Sequence, residues 1–268
     1  MTKNEILAFA EKFIEESGEN YIPAPKYAGM KIFDAPIFAF GCPEDEYFQL
    51  CKEDYVIGSH FLPPLEWLPS AKTVISFFLP YTEKIREANA KDFRWPAEEW
   101  LHGRYEGQIF LKSLALQLQN FLQEAGHPSL APAFHQNYGV TGHSSNWSER
   151  HIAYACGLGT FGISKGIITA KGTCGRLGSI LTELDLPKTA RLYKDIYEYC
   201  TKCAACIPHC PANAISLTTE KDDNLCAAFL NKVMEKNSPR YGCGKCQVKV
   251  PCESGIPSSP TIDNFHKK

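Results

Sequence analysis

Between residues 200 and 252 the chain carries eight cysteines, and their spacing points to metal chemistry. The first four form the run Cys200-Thr-Lys-Cys203-Ala-Ala-Cys206-Ile-Pro-His-Cys210-Pro211. This is the C-x2-C-x2-C-x3-C-P pattern of proteins that hold [4Fe-4S] clusters. Three thiolates spaced two residues apart wrap one face of a cubane, and its fourth iron takes a distant cysteine. Cys210 then belongs to a second cluster. The remaining ligands are present as Cys226, Cys243-Gly-Lys-Cys246 and Cys252. Eight thiolates serve two cubanes. One set is expected to be Cys200, Cys203, Cys206 and Cys252, the other Cys210, Cys226, Cys243 and Cys246. The second half reads C-x2-C-x5-C with Pro251 ahead of the last cysteine, a departure from the ferredoxin repeat that leaves this partition open. Structural zinc is the plain alternative for paired C-x2-C units, but it does not account for four cysteines in one tight run followed by proline. His209 inside the run reads as a neighbour that modulates a cluster. No C-x-x-C-H occurs, so covalent haem is not indicated.

Cysteine usage agrees with a reducing compartment. Twelve cysteines in a chain without a secretory leader pattern point to metal or redox work, not to disulfides. The N-terminus is broken by Glu5, Glu11, Glu15 and Glu16, so a cytoplasmic location is expected. The most apolar run, Val74–Leu79, is far short of the roughly 20 residues that span a bilayer, and no membrane association is expected. The formal net charge of −2 gives no global attraction to nucleic acid, which is not expected as a partner. Hydrophobic residues at 44% and charged residues at 22% describe an ordinary globular chain with material for a core.

The elements that position the thiols follow from periodicity. Residues 2–17 predict a helix with a Thr2/Glu5 capping box and an apolar face of Ile6, Phe9, Ala10, Phe13 and Ile14. Residues 19–70 read as irregular with short elements. Thr73–Leu79 predicts a buried strand ended by Pro80, and Glu98–Glu124 a long helix. Ser148–Cys156 predicts a short helix capped by Ser148. Gly166–Ala170 and Leu177–Leu184 predict two strands joined across Lys171-Gly172. Asp223–Lys236 predicts a helix that carries Cys226. The expected organisation is an α+β cofactor and substrate domain over 1–195, a double-cluster ferredoxin-like module over 196–253, and a C-terminal tail over 254–268.

Residues 143–184 are rich in glycine, which lets backbone approach a ligand closely. Gly157-x-Gly159-x-x-Gly162 matches a dinucleotide fingerprint in letters only, because it follows a helix and not a strand. The stretch SER-HIAYACGLGTFG, then GIIT, then RLGSILTELDL, then the cysteine module resembles the epoxyqueuosine reductase family and is similar to the corrinoid-dependent reductive dehalogenases. The resemblance covers about residues 143–252. It implies a nitroreductase-like three-layer α+β domain and a cobalamin fed with electrons by two [4Fe-4S] clusters. It also implies that Gly157, Gly159, Phe161, Gly162, Ile168, Thr169, Arg176, Leu177, Gly178 and Ser179 line the corrinoid. The eight cysteines match the family's eight cluster ligands.

The chain departs from many respiratory dehalogenases in one place, an export signal that it does not show, and from the epoxyqueuosine reductases in two. Where they carry an essential acidic residue, fourteen positions before the first glycine of the turn, this sequence has His143. A histidine can still deliver a proton near neutral pH, and His143 is the catalytic candidate. The helical-repeat extension of many members and a basic run that would grip tRNA are not found. A small-molecule substrate and an external donor such as ferredoxin or flavodoxin are therefore expected. Two rival readings are an electron-transfer protein that docks to a partner enzyme without a corrinoid, and a flavin-dependent reductase.

Overall fold

The computed structural model describes residues 1–258. In chain order the elements are α1 (Lys3–Glu16), β1 (Ile37–Gly41), α2 (Tyr47–Leu50), α3 (Pro64–Trp67), β2 (Thr73–Pro80), α4 (Glu83–Ala90), α5 (Glu98–Glu124) and β3 (Ser129–Leu130). A small hairpin, β4 (Val140–Thr141) and β5 (Ser144–Ser145), leads to α6 (Glu149–Ala155), β6 (Gly159–Phe161), β7 (Ile167–Thr169) and β8 (Gly175–Thr182). The cysteine-rich end holds β9 (Ile215–Ser216), β10 (Glu220–Lys221) and α7 (Asp223–Asn237).

The central sheet has the order β1-β2-β8-β3 and is antiparallel throughout. Every residue of β2 is buried, as expected for a middle strand with material on both faces. Its alternation divides the core. Ile75, Phe77 and Leu79 join α1 and α5 in one apolar cluster, and Val74 and Phe78 join Trp147 and α6 in another. α1 and α5 pack on one face of the sheet, and α6 packs on the other with the 42–71 segment that holds α2 and α3.

Local chemistry sets the boundaries. The Thr2 hydroxyl accepts from the Glu5 amide while the Glu5 carboxylate accepts from the Thr2 amide, so both halves of the capping box form. Ile6, Ala10 and Ile14 are the residues of α1 that become buried. α5 has the predicted bounds. The helix expected from Ser148 begins at Glu149, and the Ser148 hydroxyl does not cap it but meets His151 Nδ1 at 2.8 Å. The two strands predicted around Lys171-Gly172 form but do not pair with each other. β7 pairs with β6, and β8 enters the central sheet beside β2. Gly178 lies opposite Phe77, and any Cβ there would stand 2.5 Å from the Phe77 ring. The part of the predicted tail beyond residue 258 lies outside the described residues.

Candidate iron–sulfur sites and the adjoining cavity

The first cysteine run is wound by its own backbone. Lys202 and Ala204 both adopt left-handed conformations, at φ 52° and 61°, on either side of Cys203. This costs about 1–2 kcal/mol per residue and tightens the loop. Cys206 is buried and Cys203 is exposed. The Ala214 amide donates to Cys210 Sγ at 3.3 Å.

The second half of the module is laid on the large domain. Gly244, between Cys243 and Cys246, has φ +64°, and a Cβ there would lie 1.8 Å from Trp100 of α5. Arg240 forms a bidentate pair with Glu106 of α5, and the Arg104 guanidinium stands 4.6 Å over the Tyr241 ring. The Asn89 side chain in α4 donates to the Cys243 carbonyl at 3.0 Å. At the far end, the Thr173 amide donates to the Cys252 carbonyl at 2.9 Å, Cys174 Sγ donates to the Gln247 carbonyl, and Arg86 pairs with Glu253 at 2.9 Å. His209 Nδ1 donates to the Val248 carbonyl at 3.1 Å, tying the first half to the second.

Two cavities result, each bounded by four thiols. Cys200, Cys203, Cys206 and Cys252 line one, with Ile163, Ile168 and Val250 as apolar walls. Cys210, Cys226, Cys243 and Cys246 line the other. Among the described residues no three His, Cys, Asp or Glu side chains converge on a single-ion site. Thiols spread around a cavity suit a polynuclear cluster better than one tetrahedral zinc. Burial pushes the Cys206, Cys243 and Cys252 thiols up to about 12, so metal ligation must release their protons.

The second cavity, about 230 Å3, extends past the thiols into the large domain. Tyr81, Trp100, Arg104 and Arg176 share its wall with Tyr241 and Lys221, and no lining residue is acidic. Arg176 contacts Gln108, but its Nε is shielded from solvent without a hydrogen-bond partner. Behind β8, both carboxylate oxygens of Glu149 are also shielded and unpartnered, and burial raises this group to about 7. Lys245 is buried, and its Nζ donates to Asn89 O at 2.6 Å, Asn89 Oδ1 at 3.0 Å and Asp92 O at 2.6 Å.

The residues singled out by resemblance are dispersed. Gly162 and Ile168 line the first cavity and Arg176 the second. Gly159, Phe161, Thr169, Gly178 and Ser179 are buried in packing, with the Ser179 hydroxyl accepting from the Trp147 indole at 2.9 Å. Gly157, at φ +87°, and Leu177 are partly exposed and line neither cavity. His143 is exposed in the β4–β5 turn and lines neither cavity. Its Nε2 is 2.9 Å from Asn224 Oδ1 in the first turn of α7, two residues before Cys226. Sequence reasoning missed Tyr81, Trp100, Arg104, Tyr241 and Lys245. Only Lys245 had a signal available, its place inside Cys243-Gly-Lys-Cys246.

Comparison with known proteins agrees with this geometry. Residues 193–216 match the Fer4 family, a 4Fe-4S binding domain. The epoxyqueuosine reductase of Francisella cf. novicida is 28% identical over 77% of this chain and 59% of its own length. The chain spans about half the length of the curated relatives it matches. A crystal structure of epoxyqueuosine reductase with an epoxyqueuosine-modified tRNA stem loop superposes with a TM-score of 0.57 at 17% identity, covering 96% of this chain and 66% of that one. A reductive dehalogenase structure, described with a mechanism for B12-dependent dehalogenation, gives 0.56 at 13% identity over 94% of this chain and 36% of that one.

The thiol cavities and the Fer4 match define an iron–sulfur protein, related in sequence to oxidoreductases. In sequence the chain is similar to the epoxyqueuosine reductases, and it shares its fold with solved epoxyqueuosine reductase and reductive dehalogenase structures. Overall charge sets nucleic acid aside as a partner, while one structural neighbour is described with a tRNA stem loop. A net charge is a sum over the whole surface and says little about a local binding face. Among the described residues no helix is long and apolar enough to cross a membrane.

Proposed function

We propose that the chain is a corrinoid-dependent reductase in which two [4Fe-4S] clusters pass single electrons to a corrinoid at the second cavity. Cys200, Cys203, Cys206 and Cys252 would hold one cluster, and Cys210, Cys226, Cys243 and Cys246 the other. The observation that carries this reading is the shared wall of that cavity, where four thiols face Tyr81, Trp100, Arg104 and Arg176 of the large domain. An electron arriving at the second thiol set therefore stands next to whatever those residues bind. The four-stranded sheet with helical layers on both faces suits a nitroreductase-like domain over 1–195, followed by the cluster module over 196–253.

The residues fit a large, flat, polar-edged group. Tyr81, Trp100 and Tyr241 offer flat walls, Arg104 and Lys221 offer cationic edges, and the shielded Nε of Arg176 has no hydrogen-bond partner. The cavity, about 230 Å3, is below the ~300 Å3 of ordinary ligand pockets and also takes the cluster of its four thiols, so such a group would lie across its mouth. When bound, a corrinoid supplies a metal centre that takes up single electrons and attacks or coordinates a reducible organic group. Of the residues that the resemblance assigned to the corrinoid, Arg176 is the one that lines this cavity. His143 is the proposed proton donor, and its hairpin is held to α7 through Asn224. The organic group would be carried on a tRNA or presented free, in a cytoplasmic setting with a ferredoxin or flavodoxin as electron donor.

The test is anaerobic reconstitution with iron, sulfide, hydroxocobalamin and flavin, followed by desalting. Corrinoid absorbance that stays with the protein is the expected result. Iron–sulfur absorbance alone contradicts the corrinoid and leaves an electron-transfer protein. Loaded protein is then offered an epoxyqueuosine-modified tRNA stem loop and a brominated hydroxybenzoate in parallel. His143→Phe is expected to abolish turnover of whichever is reduced while iron content stays the same.

A further inference from the structure

The two thiol sets stand in different electrostatic surroundings. The first cavity has one lining cation, Lys202, which is exposed and has its ammonium 5.9 Å from the Tyr197 ring. The second is lined by Arg104, Arg176 and Lys221, and Lys245, which falls between Cys243 and Cys246 in sequence, is buried behind it in a separate cleft with Asn89, Asp92 and His209. The Lys245 ammonium meets three oxygens, Asn89 O, Asn89 Oδ1 and Asp92 O, all within 3.0 Å. An ammonium has three donors and a neutral amine two, so three acceptors specify the charged form. Two of the acceptors are backbone carbonyls at and just past the C-terminal end of α4, where the helix dipole also favours a cation. The Asp92 carboxylate is turned instead to the Arg94 and Trp95 amides.

We infer that Lys245 is a redox-positioning residue, a buried fixed cation that makes the cluster at Cys210, Cys226, Cys243 and Cys246 the higher-potential member of the pair. The inference rests on the two-cluster reading and needs no corrinoid. Reducing a four-thiolate cluster adds one negative charge, so a fixed cation nearby stabilises the reduced form more than the oxidised one. Burial strengthens the effect because little water screens it. The direction of flow follows. An external one-electron donor reduces the first cluster at the exposed Cys203. That cluster is reoxidised as the second gains the electron, and the second faces the large domain.

The experiment is an EPR-monitored dithionite titration of the full, anaerobically reconstituted chain, with iron counted per chain. Eight irons and two midpoint potentials are expected, and fewer irons in the unaltered chain would count against the two-cluster reading, not against Lys245. Lys245→Met is expected to keep eight irons. It should weaken reduction of the higher-potential cluster at least tenfold, about 59 mV for one electron, and leave the lower potential in place. Cys226→Ser, retaining the first cluster, should keep only the lower potential. Full loading of Lys245→Met with both potentials unmoved, or with the lower one moved, overturns the inference, as does Cys226→Ser keeping only the higher potential. If Lys245→Met loses the second cluster, Lys221→Gln decides. It lines the second cavity without the α4 contacts, and it should lower the same potential by a smaller amount; no shift overturns the inference.

Discussion

The two halves of the cysteine module reach similar ligand sets by different means. Cys200 to Cys210 are gathered by local turn chemistry, with left-handed residues at Lys202 and Ala204 inside a run of eleven positions. Cys243, Cys246 and Cys252 are gathered by the large domain, which supplies Trp100 under Gly244, Asn89 against Cys243 and Thr173 against Cys252. The first half carries its geometry in its own sequence. The second borrows it from α4, α5 and the turn before β8, so cluster and large domain are positioned together. A cluster meant to deliver electrons into a cavity shared with that domain gains from such coupling, because its distance to the cavity wall is then set by packed helices and not by a flexible linker.

Two backbone substitutions sharpen the comparison. Gly244→Ala places a methyl 1.8 Å from the Trp100 ring at a φ of +64°, and Gly172→Ala places one 2.3 Å from the Glu253 carbonyl at +78°. Each combines left-handed strain of about 1–2 kcal/mol with overpacking of about 1–3 kcal/mol. Gly244→Ala is expected to strip iron from the second set, and Gly172→Ala to loosen Cys252 and with it the first. Urea denaturation and iron content measured on both variants check this. Loss from the same set in both would break the distinction.

A smaller effect concerns Glu149, buried behind β8. Its carboxyl is raised by burial to about 7 from the ordinary 4.5. The folded chain therefore keeps a proton that the unfolded chain has released, and stability is lost as pH rises through that window. The loss is on the order of 3 kcal/mol when complete. The urea midpoint should fall between pH 5.5 and 8, and Glu149→Gln should flatten that slope. An unchanged slope would mean that Glu149 is already ionised at pH 5.5.

Much of this was legible in the sequence, for identifiable reasons. α5 has the predicted bounds and α1 and β2 match theirs within a residue, because the apolar period is strong in all three and a capping box starts α1. The lining of the two cavities groups the cysteines in the two sets that the spacing suggested, and which cluster each set holds is the proposal that iron content tests. The cavity wall was harder to read. Tyr81, Trp100 and Arg104 come from β2's exit and from α5, over a hundred residues before the cysteines they face, and nothing in their own neighbourhood marks them. The glycines of 157–162 drew attention as a ligand surface. Gly159 answers to a tighter need, since a Cβ there would meet the Ile168 carbonyl at 2.2 Å inside the β6–β7 hairpin.

The central claim is that two independent thiol sets each hold a four-iron cluster. Iron and acid-labile sulfide, counted in the reconstituted chain and in Cys203→Ala and Cys226→Ala, test it most directly. The account predicts eight irons in the parent chain and four in each variant, with a [4Fe-4S] EPR signal remaining in both. Retention of eight irons in either variant, or loss of all iron in both, would contradict it.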